Sequence, residues 1–207
     1  MLQDLGRDAR VCAEDARAAW VAVQPEASSI AARGPARLGT VTPALSQVLA
    51  RADAAAAEPI YLLAACTATW ARAKGFTPLI DERDELRQML SRVAQLAPDL
   101  DEAGAERELG KLFAALPAYA GGDLQEARRH FEAAVARAPD SARTRLAFAR
   151  SVAVKAQDRS LFEAQLQAAS SAPDESGAAE ARDLLTRENE LFGPAEAAQP
   201  IPGGPTH

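Results

Sequence analysis

Residues 121–162 decide the fold, and they read GGDLQEARRHFEAAVARAPDSARTRLAFARSVAVKAQDRSLF. After a Gly-Gly-Asp turn, apolar residues recur at steps of three and four from Leu124 to Ala134, and charged residues fill the positions between them. This period is that of an amphipathic helix, and Pro139 ends it because proline cannot continue a helix. A second helical run follows and breaks at residues 157–159. The stretch therefore predicts two consecutive helices joined by a short turn.

The composition of the whole chain also favours helices. Alanine, leucine, arginine and glutamate dominate the 207 residues, and all four are strong helix formers. Aromatic residues make up only 5% of the chain, and β-branched residues never alternate with polar ones over a useful window. Strands are therefore not expected. The sequence predicts an all-α protein.

Helix ends recur along the chain in the form Ala-Pro-Asp, at Pro98, Pro139 and Pro173. The last two prolines are 34 residues apart, which is the length of one tetratricopeptide (TPR) unit, a helix–turn–helix repeat. The first two are 41 residues apart, and the surplus lies around residues 116–120. The repeat predicts TPR-like antiparallel helix pairs in a solenoid or bundle of about nine helices.

The same patterns divide the chain into three parts. Residues 1–57 carry helices and a linker that we expect to pack on the bundle. Residues 58–192 form the TPR-like repeat region, and residues 193–207 form a disordered tail rich in proline and glycine.

Helix starts and one linker follow from local residues. In the linker, residues 25–41, we expect ordered packing, because Ile30 and Leu38 would otherwise be exposed. Helix starts are predicted at Thr42-Pro43, at Glu58-Pro59, at Asp81 as an N-cap, at Glu102, at Asp123 and at Ser176 as an N-cap.

The distribution of charge argues against several function classes. The net charge is −6, and arginine and lysine are scattered among acidic residues along the chain. No tail or helix face concentrates positive charge, so we expect no nucleic-acid partner. No apolar stretch approaches the ~20 residues that span a bilayer, so we expect no transmembrane segment.

Cysteine and histidine are scarce. Cys12 and Cys66 lie far apart in alanine-rich helical runs. We expect each to behave as a small apolar residue, with a disulfide between them as the less favoured alternative. His130 neighbours Glu126 and Arg129 on a polar helix face, so we expect it to be solvated. Metal ligands are therefore lacking, and no cofactor is expected.

Several features occur in the order typical of a known family. Trp70 follows Tyr61 in an alanine-rich helix, and a Leu-Pro insertion precedes Gly-Gly-Asp-Leu. The Gln157-Asp158-Arg159 segment then precedes Phe162, and Glu-Leu-Phe at residues 190–192 closes the series. Across these features the chain resembles the TRAP transporter-associated T-component (TatT) family of TPR-like proteins. The Gln-Asp-Arg-x-x-Phe signature is the most specific feature, because plain TPR proteins lack it.

The resemblance implies a helical TPR-like fold and a periplasmic, often lipid-anchored protein that forms a homo-oligomer. It also implies a periplasmic substrate-binding protein of a TRAP system as partner, and a small apolar or organic-acid ligand. The given sequence shows neither a signal segment nor a lipobox cysteine, so the open alternatives are an export segment upstream of it and a cytoplasmic location. Residues 1–57 match the family only loosely.

Six residues are candidates for ligand contact. Large rings in an alanine-rich bundle either fill the core or line a cavity between helices, and we expect the first role to be the commoner. Phe76 and Tyr119 are expected in loops and therefore at the rim of a pocket. Arg159 either contacts a ligand or pairs with a neighbouring carboxylate while Asp158 caps the next helix. The candidates are Trp70, Phe76, Phe113, Tyr119, Phe148 and Arg159.

The sequence carries no recognisable catalytic motif. It has no Gly-rich phosphate loop, no HExxH and no nucleophile elbow. The acidic pairs within residues 81–85 are expected in the first turn of a helix, where the helix dipole favours them. We predict a non-catalytic binding or adaptor protein, by resemblance an accessory component of a TRAP-type uptake system. The alternatives are a cytosolic TPR adaptor that grips a partner's peptide and, less favoured, an enzyme on a helical scaffold.

Overall fold

The computed structural model of the protein describes residues 2–28 and 43–193. All regular structure in these two ranges is helical, which confirms the all-α class. The helices are α1 (Leu2–Val23), α2 (Pro43–Arg51), α3 (Ala54–Lys74), α4 (Phe76–Leu96), α5 (Gly104–Ala115), α6 (Leu124–Arg137), α7 (Ala142–Phe148), α8 (Arg159–Ser170), α9 (Glu175–Thr186) and α10 (Glu188–Phe192). Two short 3₁₀ turns lie at Pro25–Ala27 and Ala118–Ala120.

Helix α7 does not end at its last α-helical residue. It continues through a π-helical turn, Ala149–Ala153, and one more short α-helical segment, Val154–Ala156. The π turn inserts one extra residue into the helix and so rotates everything that follows it. Asp158 then caps α8 by accepting a hydrogen bond from the backbone amide of Leu161, as expected from the sequence.

The N-terminal half is built from α1 to α4. Helix α1 packs along α3, and α3 packs along α4. The indole nitrogen of buried Trp20 donates to Gln24 Oε1 at 2.9 Å, and Gln24 Nε2 donates to the Val48 carbonyl at 2.7 Å. These two hydrogen bonds join the end of α1 to α2 inside the apolar core.

Cys12 and Cys66 form a disulfide between α1 and α3, so the expectation of two separate thiols is wrong. The two cysteines are 54 residues apart, so no local sequence pattern indicates that they pair. Packing of α1 along α3 brings the two positions to a Cα–Cα distance of 5.9 Å, which is within the usual range for a disulfide.

Two predicted helix starts in the N-terminal half are wrong by one to two turns. Helix α3 begins at Ala54, because the Asp53 carboxylate accepts hydrogen bonds from the amides of Ala55 and Ala56. Pro59 consequently lies inside α3 rather than at its start. Helix α4 begins at Phe76 and not after an N-cap at Asp81, so the acidic residues 81–85 lie beyond its first turn.

Two further starts differ in the C-terminal half. Asp174, not Ser176, caps α9 by accepting from the amides of Ser176 and Gly177. Helix α5 begins at Gly104 and not at Glu102, because residues 101–103 adopt a left-handed conformation. The predicted starts at Pro43 and after Asp123 are confirmed.

The C-terminal half consists of packed helix pairs, α5 with α6 and α8 with its neighbours α7 and α9. Gly110 lets α6 approach α5, because a Cβ atom at that position would lie 2.7 Å from the Phe131 ring. Phe131 in turn stacks on Phe148 with ring centroids 5.1 Å apart. The small residue and the two rings therefore join α5, α6 and α7 in the core.

Four helices, α3, α5, α7 and α9, form a row in which each contacts the next. None of the helices in the described ranges is both long enough and apolar enough to cross a membrane. The predicted tail beyond Gly193 and most of the predicted linker, with Ile30 and Leu38, lie outside the described residues.

Candidate binding groove

A groove of about 590 Å³ runs along the row formed by α3, α5, α7 and α9. Small residues of α5 and α7 form its floor, including Ala114, Ala115 and Ala147. Seven charged side chains line it: the cations Arg72, Lys111, Arg143, Arg150 and Lys155, and the acids Asp174 and Glu180.

This concentration of cations corrects the expectation that no face of the molecule gathers positive charge. The five residues come from α3, α5 and the extended α7, and no single window of the sequence contains them. Two of the chain's three lysines, Lys111 and Lys155, line this groove. The scarcity of lysine is the feature of the sequence that could have pointed to these two positions.

Two cations at one end of the groove share a single buried carboxylate. Glu108 accepts from Lys111 Nζ at 2.6 Å and from Arg72 Nη2 at 3.3 Å. Burial raises the pKa of Glu108, but Lys111 and Arg72 outweigh burial and hold that pKa below its usual range. Arg72 Nη1 has no hydrogen-bond partner among the described residues. This end of the groove therefore retains an excess positive charge.

The cations on α7 differ in how far they are neutralised. Arg150 pairs with Glu180 across the groove. Arg143 pairs with Asp101 at 2.7 Å and with Glu102 at 3.3 Å.

Lys155 donates to the backbone carbonyl of Ala114 and forms no ion pair with a carboxylate in the ranges that the structure covers. It is thus the least neutralised cation on α7.

Arg143 is held in place by a polar network buried behind the groove. Arg107, which is 1% exposed, donates through Nη2 to Asp101 at 2.5 Å and to the Tyr61 hydroxyl at 3.1 Å. Its Nη1 donates to the Thr144 hydroxyl at 3.3 Å. The network thereby joins α3, α5 and α7.

The Arg107 network also stabilises an unusual turn. Asp101, Glu102 and Ala103 have φ angles of 52°, 56° and 58°, a conformation that costs a non-glycine residue about 1 kcal/mol or more. Arg107 Nη1 donates to the carbonyls of Asp101 at 3.0 Å and Glu102 at 3.4 Å. Gly104 follows, where a Cβ atom would lie 2.7 Å from Tyr61 Cζ. The turn presents both of its carboxylates to Arg143.

The environment shifts the pKa values of the network in opposite directions. Burial and the hydrogen bond to Asp101 raise the pKa of the Tyr61 hydroxyl. Burial alone would raise the pKa of Asp101, but Tyr61, Arg107 and Arg143 hold it below its usual range. The hydrogen bond from Ser141 lowers the pKa of Glu102. Asp101 and Glu102 therefore stay ionised and Tyr61 stays neutral at neutral pH.

A comparison with known protein families shows which family the chain belongs to. The model of the TRAP transporter T-component family matches residues 7–192. The chain belongs to this family. The match includes α1, which the sequence motifs alone related only loosely to the T components. No match was found among curated proteins.

The structure of this T component does not gather the six predicted contact residues around one cavity. Phe113 and Phe148 are buried in the core, and Trp70 is half-buried beside a cleft of about 20 Å³. Phe76 and Tyr119 are 67% and 87% exposed. Phe76 lies in the first turn of α4 rather than in a loop.

Arg159 has the structural partner that the sequence offered as one alternative. Its Nη1 pairs with Glu188 at 3.0 Å, and its guanidinium lies 5.6 Å from the centroid of the Phe192 ring. Arg159 thereby holds α10 against the start of α8. No group of three His, Cys, Asp or Glu residues within residues 2–28 and 43–193 is placed to hold a metal ion.

His130 is half-buried, so the expectation of a solvated histidine is wrong. Its Nδ1 lies 2.6 Å from Glu106 Oε2, and its ring stacks on Phe113 with centroids 5.3 Å apart. The cause is the α5–α6 packing, which places Glu106 opposite His130. His130 thus joins α6 to α5, and it lies outside the groove.

Proposed function

We propose that the protein is a non-catalytic accessory component of a TRAP-type uptake system that binds the periplasmic substrate-binding protein of that system through its groove. Membership of the T-component family supports the assignment to TRAP transport. The groove supports a binding role, because its charged groups are mainly arginine and lysine side chains. Arginine and lysine side chains bind anionic groups such as carboxylates.

The observation that carries the proposal is the local charge of the groove. Five cations and two carboxylates line the groove, and Asp101, Glu102 and Glu108 beside it neutralise part of that positive charge. The remaining excess lies at Arg72, Lys111 and Lys155, whereas the whole chain has a net charge of −6. A positive groove on an acidic protein directs an anionic partner or ligand to one surface. This favours an anionic occupant of the groove over an apolar one.

The disulfide supports a periplasmic location. Cys12 and Cys66 are paired, and disulfides persist in oxidising compartments such as the periplasm and are rare in the cytosol. This weighs against the alternative of a cytosolic adaptor. It gives the location a basis in the chain's own chemistry, apart from the resemblance.

The test is to mix the purified protein with the purified substrate-binding protein of its host's TRAP system. We expect native mass spectrometry and sedimentation velocity to detect a complex at micromolar concentrations. A substrate-binding protein from an unrelated uptake system of the same host serves as the control. Equal association with both proteins, or with neither, contradicts the proposed function.

A further inference from the structure

Positive charge in the groove is concentrated where α3, α5 and the end of α7 meet. Arg72 and Lys111 share one carboxylate, and Lys155 has only a backbone carbonyl as partner. Arg143 and Arg150, by contrast, each pair with carboxylates. The three less neutralised cations have the capacity to bind an incoming carboxylate without first breaking a one-to-one ion pair.

The π turn in α7 places Lys155 in this group. Arg143, Ala147, Arg150 and Ser151 face the groove at steps typical of an α-helix. Eleven residues after Arg143, an uninterrupted α-helix would return to the same face to within about 20°, whereas twelve residues would turn it about 120° away. The twelfth residue is Lys155, yet it lines the groove.

The residue displaced by the extra position is Val154. It packs against the second apolar cluster, around Phe162 and Leu166, instead of entering the groove. The π turn at Ala149–Ala153 therefore exchanges a valine for a lysine on the groove surface. Single π turns inside α-helices are frequent at functional sites, and here the consequence is an added cation.

The groove's length bears on the kind of anion it accepts. It crosses four helices, from Arg72 on α3 to Glu180 on α9. Packed helices lie about 8–10 Å apart, so three intervals give roughly 25–30 Å. An extended peptide advances about 3.3 Å per residue, so about eight residues fill this length. A free dicarboxylate would occupy only a fraction of it.

From these observations we propose that the groove binds an extended acidic segment of the partner protein, with its carboxylates on Arg72, Lys111 and Lys155. This inference rests on the proposed function, because it names the part of the partner that the groove recognises. The two acids at the α9 end, Asp174 and Glu180, set a polarity. We therefore expect the carboxylates of the segment at the α3–α5 end and neutral or basic residues near α9.

The first test uses the full chain and defined peptides in a fluorescence anisotropy titration. The probe is a labelled peptide of about eight residues that alternates glutamate and alanine, and its matched control carries glutamine in place of glutamate. We expect the glutamate peptide to bind at least about tenfold more tightly than the glutamine peptide. We also expect its affinity to fall as salt is added, because exposed ion pairs are screened.

Charge-removing variants locate the binding. We expect Lys155→Gln to lower the affinity for the glutamate peptide about three- to tenfold. We expect Lys74→Gln to leave that affinity unchanged. Lys74 is also an exposed lysine, but it lies at the end of α3 and outside the groove. Lys155 is exposed as well, so its loss does not threaten folding, which thermal melts of both variants verify.

Three outcomes overturn the inference. Equal affinity for the glutamate and glutamine peptides would show that binding does not depend on the charge of the peptide. An unchanged affinity in Lys155→Gln would place binding elsewhere. Displacement of the labelled peptide by succinate at equal molar concentration would identify the occupant as a free organic anion rather than a protein segment.

The inference and the proposed function fail in distinguishable ways. If the substrate-binding protein associates but Lys155→Gln and added salt do not weaken the association, the acidic-segment inference is wrong and the proposed function holds. If the glutamate peptide binds in the groove but the substrate-binding protein forms no complex, the inference holds and the partner is a different protein.

Discussion

The two halves of the molecule bury ionisable side chains in opposite ways. In the C-terminal half, Arg107 is 1% exposed, and both of its Nη atoms donate to neighbouring groups, including Asp101 and Tyr61. In the N-terminal half, Glu82 on α4 is 2% exposed, and its Oε1 has no partner among the described residues. Hydrogen bonds and the ion pair with Asp101 hold the Arg107 guanidinium, of which only Nε lacks a partner among the described residues, whereas burial raises the pKa of Glu82 to about 8.

The difference shows where polar groups specify this fold. The Arg107 network joins three helices and fixes a left-handed turn, so it defines how α3, α5 and α7 meet. Glu82 fixes no comparable geometry, and the N-terminal half has the disulfide between α1 and α3 instead. The buried ion pair specifies how these helices pack, but it carries a desolvation cost. The disulfide cross-links two helices without a desolvation cost.

The largest expected effect comes from breaking the partnered charge. Arg107→Met keeps a long side chain but leaves Asp101 half-buried beside Tyr61 without its main counterion. We expect the free energy of unfolding to fall by about 4 kcal/mol, because the hydrogen bonds of Arg107 to the left-handed turn, Tyr61 and Thr144 are lost and Asp101 keeps only the exposed Arg143 as counterion. Equilibrium urea denaturation followed by circular dichroism measures it.

The matched control is Arg137→Met on α6. Arg137 is exposed and pairs with Asp99, so we expect a loss below about 1 kcal/mol. If the two substitutions cost the same, the Arg107 network is not a stabilising feature of the C-terminal half.

The disulfide is expected to have the next largest effect. Replacing both Cys12 and Cys66 by serine should lower the free energy of unfolding by about 3 kcal/mol, because the cross-link closes a long loop in the unfolded chain. The measurement is denaturant unfolding of the variant beside the parent protein, each with and without a reducing agent.

Reducing agent should destabilise the parent protein and leave the double serine variant unchanged. Alkylation of the unfolded, non-reduced parent gives a second readout, since a paired Cys12 and Cys66 take up no label. Labelling of two thiols would refute the pairing and with it the support for an oxidising compartment.

The sequence carries enough information for the helices and too little for the groove. Short-range signals such as the Asp123 and Asp158 caps and the Ala-Pro-Asp helix ends operate within a few residues, so they could be read directly. Asp53 and Asp174 are the same kind of signal, and they cap helices whose starts the sequence pattern places at Pro59 and Ser176. The acidic cap decided the helix start at both places.

The groove depends on relations that no local pattern contains. Arg72 and Lys111 meet because α3 and α5 pack, and Lys155 joins them because of one extra residue in a π turn. Large aromatic residues were the natural candidates for contacts, but rings such as Phe148 are buried where alanine-rich helices leave space. In this chain most of the large rings fill the core, Phe76 and Tyr119 are exposed, and long cations line the groove.

The smallest expected effect concerns the buried carboxyl of Glu82, and it depends on pH. Glu82 keeps its proton in the folded protein up to a pKa of about 8, whereas in the unfolded chain it ionises near its ordinary value of 4.5. Burial is the main cause, Glu85 adds to it, and the attraction of Arg17 is too weak to reverse it. Folded protein therefore binds more protons between these two values, and its stability falls as pH rises from about 5 to about 8.

Glu82→Gln removes this dependence, because glutamine is neutral at every pH. One pKa unit corresponds to about 1.4 kcal/mol, so the shift sets an upper limit near 5 kcal/mol, and water that enters on ionisation reduces it. We expect the variant to match the parent near pH 5 and to exceed its free energy of unfolding by about 2 kcal/mol at pH 9. Denaturant unfolding at a series of pH values measures the difference, with exposed Glu132→Gln as the control. A constant difference across that series would mean that Glu82 is ionised and partnered like Arg107, and the contrast between the two halves would disappear.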